Sequence, residues 1–343
     1  MTILRKIRKI LGSMPLAITL LVMLAAACAV CSAVPQRQTY EWYSGQYGER
    51  MAAVIMALHA DDAYHSWWFL ALSGFLCLSL LMCNLIRVRP LIRRTGKEPG
   101  NFAGIWGAWV CHLGILLLII GFALGQMTQE EYAISGLPGD TVPLAETGLQ
   151  VTVDAFTIDW REDGTAGQYT AELTVRSADG KDEQHGTASV NYPAELHGYE
   201  FFQNSAGWAA DVTVEKNGEV LQEKTLCVQE YMPLADDPDI VVMFYNFYPN
   251  YDGGTGTVSP MASTRPERPG YLYMVFYQGE VRGMNVLEAD DEITIDQEYT
   301  VRFSNPSNYT LLMVKRDRFS WMAMLGAVIV MAGLVMAFYL RKR

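Results

Sequence analysis

The chain has 343 residues, of which 50% are hydrophobic and 18% charged, and its formal net charge is −11. The apolar residues concentrate in four runs free of Asp, Glu, Lys and Arg: Met14–Val34, Ser66–Ile86, Ile105–Met127 and Phe319–Leu340. Each is about 21 to 23 residues long, the length of a helix that crosses the roughly 30 Å hydrocarbon layer. The sequence has no Walker loop, Rossmann glycine signature or Ser-centred elbow, so nucleotide-driven transport and hydrolysis have no support.

In chain order, residues 1–13 form a basic N-terminus with Arg5, Lys6, Arg8 and Lys9, and residues 14–34 a first predicted span. A cleaved or lipidated signal peptide fits this segment less well. The apolar run is long, and Ala25-Ala26-Ala27 precedes Cys28 without the Leu expected three positions upstream. Residues 35–65 form an outer loop, in which Met51, Val54, Ile55 and Leu58 predict a short amphipathic helix over Gly48–Ala60 lying on the membrane face. A second span over 66–86, a basic loop over 87–104 and a third span over 105–127 follow. The large polar segment 128–318 precedes a fourth span, 319–340, and the tail Arg341, Lys342 and Arg343. Arg87, Arg89, Arg93, Arg94 and Lys97 in the basic loop bring to 12, of 26 in all, the Lys and Arg on the side of the two termini. The positive-inside rule then places both termini in the cytoplasm, and the outer loop and large domain outside. Trp67, Trp68 and Trp321, at span mouths, suit an interfacial aromatic belt.

The large segment reads as β. Leu149–Trp160 alternates apolar and polar residues, as do Tyr169–Arg176 and Asp211–Val214, and Asp179-Gly180 and Asn217-Gly218 are hairpin signals. Tyr271–Tyr277, Glu292–Ile295, Tyr299–Phe303 and Tyr309–Lys315 continue the pattern, while Pro249–Pro269 reads as a loop. Roughly 190 residues suffice to bury a core. The segment carries 12 Lys and Arg against 32 Asp and Glu, a balance of −20 that argues against nucleic acid or anionic lipid as its partner. Its single cysteine, Cys227, can make no internal disulfide, so packing must hold it together. The fold class is therefore a membrane protein with four transmembrane α-helices, three plus one, and a large β-rich extracytoplasmic domain between helices three and four.

His112 is the one histidine deep inside a span, about seven residues and hence roughly 10 Å from its cytoplasmic end. An intramembrane imidazole is costly unless partnered: it is either a histidine hydrogen-bonded to a neighbouring helix or a ligand to a metal or haem. Gly107, Gly114, Gly121 and Gly125 give the same helix a small-residue face, suited to close helix packing or to a flat porphyrin. His65, at the mouth of the second span, is either a polar cap or a second haem-binding position. His59, His185 and His197 read as solvated. Cys28-Ala-Val-Cys31 has a redox spacing but lies in an apolar helix, which favours coincidence. Cys-x-x-Cys-His is absent from the sequence, so the chain does not itself carry c-type haem.

Five segments in order resemble the ResB family of system II cytochrome c biogenesis proteins. They are Ser13-Met-Pro-Leu-Ala-Ile-Thr-Leu-Leu running to Pro35-Gln36, Tyr64-His-Ser-Trp-Trp-Phe running to Cys83-Asn-Leu-Ile-Arg87, and His112-Leu-Gly with Gly121 and Gly125. Val190-Asn-Tyr-Pro193 with Gly198 and Phe202-Gln203, and the strand-to-span junction ending in Gly333 and Phe338-Tyr339, complete the set. The resemblance implies a subunit of a c-type cytochrome maturation complex in the bacterial cytoplasmic membrane. Such a subunit helps carry haem b across the membrane and present it for attachment to apocytochrome c. It implies His112 as a haem ligand and a ResC-like membrane subunit as partner, with the attachment chemistry on that partner or on the complex. It also admits a thioredoxin-like thiol reductant. Two other readings stay open: a membrane-anchored β-domain scaffold for another exported complex, without haem, and an electron-handling subunit. The second would call for another histidine inside span one, two or four, and none is there.

Overall fold

The computed structural model describes residues 2–253, 257–258, 265–289 and 291–340. The tail 341–343, and positions 254–256 and 259–264 of the expected loop, lie outside the described residues. The chain divides into a helical unit, Met1–Gln129 with Asp317–Arg343, and a β unit, Glu130–Arg316.

The helical unit contains α1 (Thr2–Leu11), α2 (Met14–Ser32), α3 (Tyr40–Tyr47), α4 (Glu49–Ala57), α5 (Trp67–Lys97), α6 (Phe102–Thr128) and α7 (Ser320–Phe338). Helices α2, α5, α6 and α7 are long and apolar enough to cross a membrane and fall on the four apolar runs. Pro15 stands in the first turn of α2, where its missing N–H costs nothing, and the Ser66 hydroxyl caps α5 by accepting from Phe69 N at 3.4 Å. α5 overruns its expected span. It stays helical through Arg87, Arg89, Pro90, Arg93 and Arg94, so most of the segment expected as a basic loop is a helical extension. Leu and Arg are good helix formers, and Pro90 removes one backbone bond without ending the helix.

Backbone contact between α6 and α7 follows from their glycines. A Cβ built at Gly114 would lie 2.6 Å from Val330 N, at Gly121 2.5 Å from Ala323 N, and at Gly326 2.5 Å from Leu118 N. Residues seven apart return to nearly the same helix face, so these positions form one seam. The other side of α6 meets α5 and α2 through Leu20, Leu76, Leu80 and Leu116. α5 also holds the α1–α2 junction: Ser79 Oγ donates to Leu11 O at 2.8 Å and Cys83 Sγ to Gly12 O at 3.3 Å.

The loop after α2 is more ordered than an amphipathic helix on a membrane face requires. Gln36 Nε2 donates to Val34 O at 2.9 Å and Ala60 O at 3.0 Å, and its Oε1 accepts from Ala63 N at 3.0 Å. Tyr43, fully buried, donates to Pro35 O at 2.5 Å and packs on Ala52 and Ile55. Ile55, expected on the membrane face, thus turns inward, while Met51, Val54 and Leu58 stay exposed.

The β unit is built on one long antiparallel pair, Tyr199–Lys216 with Tyr299–Arg316. Strands Glu130–Gly136 and Glu292–Ile295 pair with the second member, and Ala194–Leu196 and Glu219–Cys227 with the first. The short ribbon Tyr251–Asp252 with Thr257–Val258 and two four-stranded antiparallel sheets complete the unit. One holds Thr141–Leu144, Leu149–Trp160, Ala166–Ser177 and Glu183–Ser189; the other holds Tyr231–Pro233, Ile240–Tyr248, Gly270–Tyr277 and Glu280–Glu288. One core gathers Val151, Leu173, Phe201 and Val314; the other gathers Val212, Val242, Phe244, Tyr271, Val301 and Phe303. Each half of the long pair therefore serves a different core. The strands expected separately at Tyr299–Phe303 and Tyr309–Lys315 are one strand, joined through a bulge that sets Asn305 and Pro306 against a single partner position. A bulge accommodates a proline that has no N–H to give the ladder. Both expected hairpin turns form, with positive φ at Gly180, Asn217 and Gly218.

Candidate functional site

The glycine seam turns α6 so that Gly107, Gly114 and Gly121 face α7, which fills the groove that a flat porphyrin would need. His112, two residues from Gly114, lies about 200° around the helix from it and so faces away from α7. There it joins Ile18 and Leu21 of α2, Leu76, Leu80, Cys83 and Arg87 of α5, and Ile115 in lining a largely apolar cavity of about 220 Å3. Ile18 and Leu21 are 50% and 56% exposed, so the cavity opens along the α2 side.

The imidazole is not used up by its neighbours. His112 Nδ1 is buried and has no hydrogen-bond partner. Asn84 on α5 is 3% exposed, and both its side-chain Oδ1 and Nδ2 are likewise unpaired. Its backbone carbonyl accepts from Trp109 Nε1 at 3.2 Å, which ties α5 to α6 one turn from His112. A second tie near the basic end of α5 runs from Trp106 Nε1 to Thr95 Oγ1 at 2.9 Å. Burying an unpaired polar group costs about 1–3 kcal/mol, so His112 Nδ1 and the Asn84 side chain carry hydrogen-bonding capacity that the described residues leave unmet. Neither Asn84 nor Arg87 stood out as a candidate in the sequence, although an Asn inside an apolar run and an Arg at its end are visible signals there.

The structure does not bring His65 to His112. Nδ1 of His65 meets Asp62 Oδ1 at 2.7 Å and Nε2 meets Gln126 O at 3.3 Å, so both ring nitrogens face acceptors. This clamp joins the end of the outer loop to the end of α6. Among the other histidines, His185 meets Thr174 Oγ1 at 2.7 Å and His197 meets Val175 O at 3.1 Å, both inside the β unit. Cys28 and Cys31 are free thiols within α2. Cys227 is a free thiol too: burial first, then the Glu230 and Asp140 carboxylates, push it up to about 11. It is a protonated, unreactive thiol at neutral pH.

Comparison with known proteins gives the fold and this site a context. Cytochrome c biogenesis protein CcsB of Gloeobacter violaceus is 26% identical over 264 residues, 58% of this chain and 55% of that protein. The CcsB of Thermosynechococcus vestitus is 25% identical over 270 residues, 60% and 61%. That of Synechococcus sp. WH7803 is 26% identical over 276 residues, 63% and 64%. The chain thus spans between 55% and 64% of the length of these relatives. Among solved structures, a cytochrome c heme lyase CcmF superposes over 94% of this chain and 38% of its own, with 14% identity and a TM-score of 0.28, too loose to support any argument. The sequence profile of the ResB-like family matches residues 14–104 and 100–343, nearly the whole length, and the chain therefore belongs to the ResB-like family.

Proposed function

We propose that this chain is a membrane subunit of a c-type cytochrome maturation complex and that His112 would hold haem b within the membrane as a ligand. The observation that carries the reading is the imidazole itself: it lies in an apolar groove between helices α2, α5 and α6, with a buried ring nitrogen that no neighbour satisfies. A histidine kept only for helix packing would be hydrogen-bonded across a helix pair.

The residues present fit haem as one wall of its site. Imidazole nitrogen is a haem-iron ligand, and Leu80 and Ile115 offer the apolar surface a porphyrin needs. The cavity, about 220 Å3, is smaller than the roughly 300–1,000 Å3 of closed small-molecule pockets. This chain therefore supplies part of the enclosure, and a ResC-like subunit closes the open α2 side. Haem supplies the vinyl groups at which thioether bonds to an apocytochrome form; the attachment chemistry lies on the partner or the complex. His65 serves as a clamp between the outer loop and α6, not as a second ligand.

The same reading sets the topology. Both termini and the basic extension of α5 are cytoplasmic, the β unit is extracytoplasmic, and the membrane is the bacterial cytoplasmic one. The acidic β unit meets apocytochrome c and a thioredoxin-like thiol reductant there. In the complex co-expressed with its neighbouring membrane subunit, His112→Ala should lower co-purifying haem and cytochrome c yield together, by about tenfold or more. External imidazole should restore part of both by filling the vacated ligand position. Full haem content and full yield in His112→Ala would replace this reading with that of a scaffold that does not bind haem.

A further inference from the structure

We propose that Arg87 binds the carboxylates of the porphyrin and so orients it, with its propionate edge toward the basic end of α5. The inference rests on the haem reading of His112. Leu76, Leu80, Cys83 and Arg87 line the cavity from successive turns of α5, and Arg87 is the one cationic side chain among its lining residues. It makes no ion pair among the described residues, whereas Arg94, two turns on, pairs with Glu98 at 3.7 Å. A guanidinium at the mouth of an apolar cavity, with no carboxylate of its own, presents a fork of donors that matches a carboxylate.

The helix geometry sets the spacing. The Trp109 Nε1 to Asn84 O bond, 3.2 Å, puts those two residues at one level on the antiparallel helices α6 and α5. His112 lies three residues from that level toward the middle of α6, and Arg87 three residues from it toward the basic end of α5. At 1.5 Å per residue they stand about 9 Å apart along the bundle. Helical side chains lean toward the N-terminus of their own helix, so Arg87 leans back toward the cavity. In protohaem the two propionates and the two vinyls sit on opposite edges. Holding the propionates at Arg87 turns the vinyl edge the other way, away from the basic end and toward the side on which thioether bonds are to be made.

The test uses the complex co-expressed with its neighbouring membrane subunit and purified in detergent, with ferric protohaem and its dimethyl ester as probes and the Soret band as readout. The wild type should bind the diacid about tenfold more tightly than the diester. Arg87→Gln should lose that preference by weakening the diacid alone, keeping the Soret position of histidine ligation, and Arg87→Lys should recover part of it. A preference unchanged in Arg87→Gln, or absent from the wild type, overturns the assignment to Arg87 while leaving His112 as ligand. So does an Arg87→Gln protein that loses co-purifying anionic phospholipid and keeps its preference for the diacid, since Arg87 would then hold a lipid headgroup. A Soret band that does not change in His112→Ala, or a wild type that binds neither probe, overturns the haem reading and this inference with it.

Discussion

Cys227 shows how a single side chain acquires its chemistry from the fold. Its backbone N–H donates to Glu230 Oε2 at 3.0 Å, and burial with the Glu230 and Asp140 carboxylates raises the thiol to about 11. Because the folded value lies above the unfolded one, the stability this thiol contributes is complete below the ordinary cysteine range. It is lost as pH rises from about 9 toward 11. Alkylation by iodoacetamide should therefore be slow at pH 8, where about one thiol in a thousand is ionised, and should rise about tenfold per pH unit up to that range. The denatured chain should reach its plateau about two units lower, and equal native and denatured rates at pH 8 would contradict the assignment. That Cys227 is the single cysteine of the large segment is legible in the sequence. The carboxylate of Asp140, 87 positions earlier in the chain, is brought near only by folding. The same is true of Arg87 and Asn84, whose partnership with α6 depends on which face of α5 turns inward.

At the scale of elements, the α6–α7 seam makes the sharpest claim. Gly114 meets Val330 N and Gly326 O, so a methyl there would have to push two backbones apart. Gly74 of α5 has nothing within 4 Å of where its Cβ would stand. Gly114→Ala should thus destabilise the protein in detergent by about 1–3 kcal/mol, while Gly74→Ala should be neutral or slightly stabilising because alanine favours helix. Comparable thermal or SDS midpoints for the two variants would dissolve the seam. Glycines recurring at seven were visible in the sequence as a packing face. What that face packs against was not, because helix-period patterns name a stripe but not its partner. The structure puts α7 there and leaves His112 looking the other way.

For the whole molecule, the one-sided placement of Lys and Arg makes a prediction of topology. Reporter fusions at Glu98 and after Arg343 should read cytoplasmic, and fusions near Gly48 and Gly218 exported. An exported Glu98 would reverse the orientation and with it the side on which Arg87 stands. The sequence alone determined the number and places of the four apolar helices, the side of their charges, the β character of the large segment and the presence of an imidazole within an apolar run. Those are local properties: a run of apolar residues longer than a bilayer, a period of two, a turn that demands positive φ. Tertiary structure decided the rest. It continued α5 as helix past the membrane-length run, folded the outer loop around Gln36 and Tyr43, and joined two strands into one across Pro306. It also set Arg87 and His112 on one cavity. Each of these depends on contacts between residues far apart in the chain, where the rotation of one helix against another, set here by glycine backbones in contact, chooses which side chains meet.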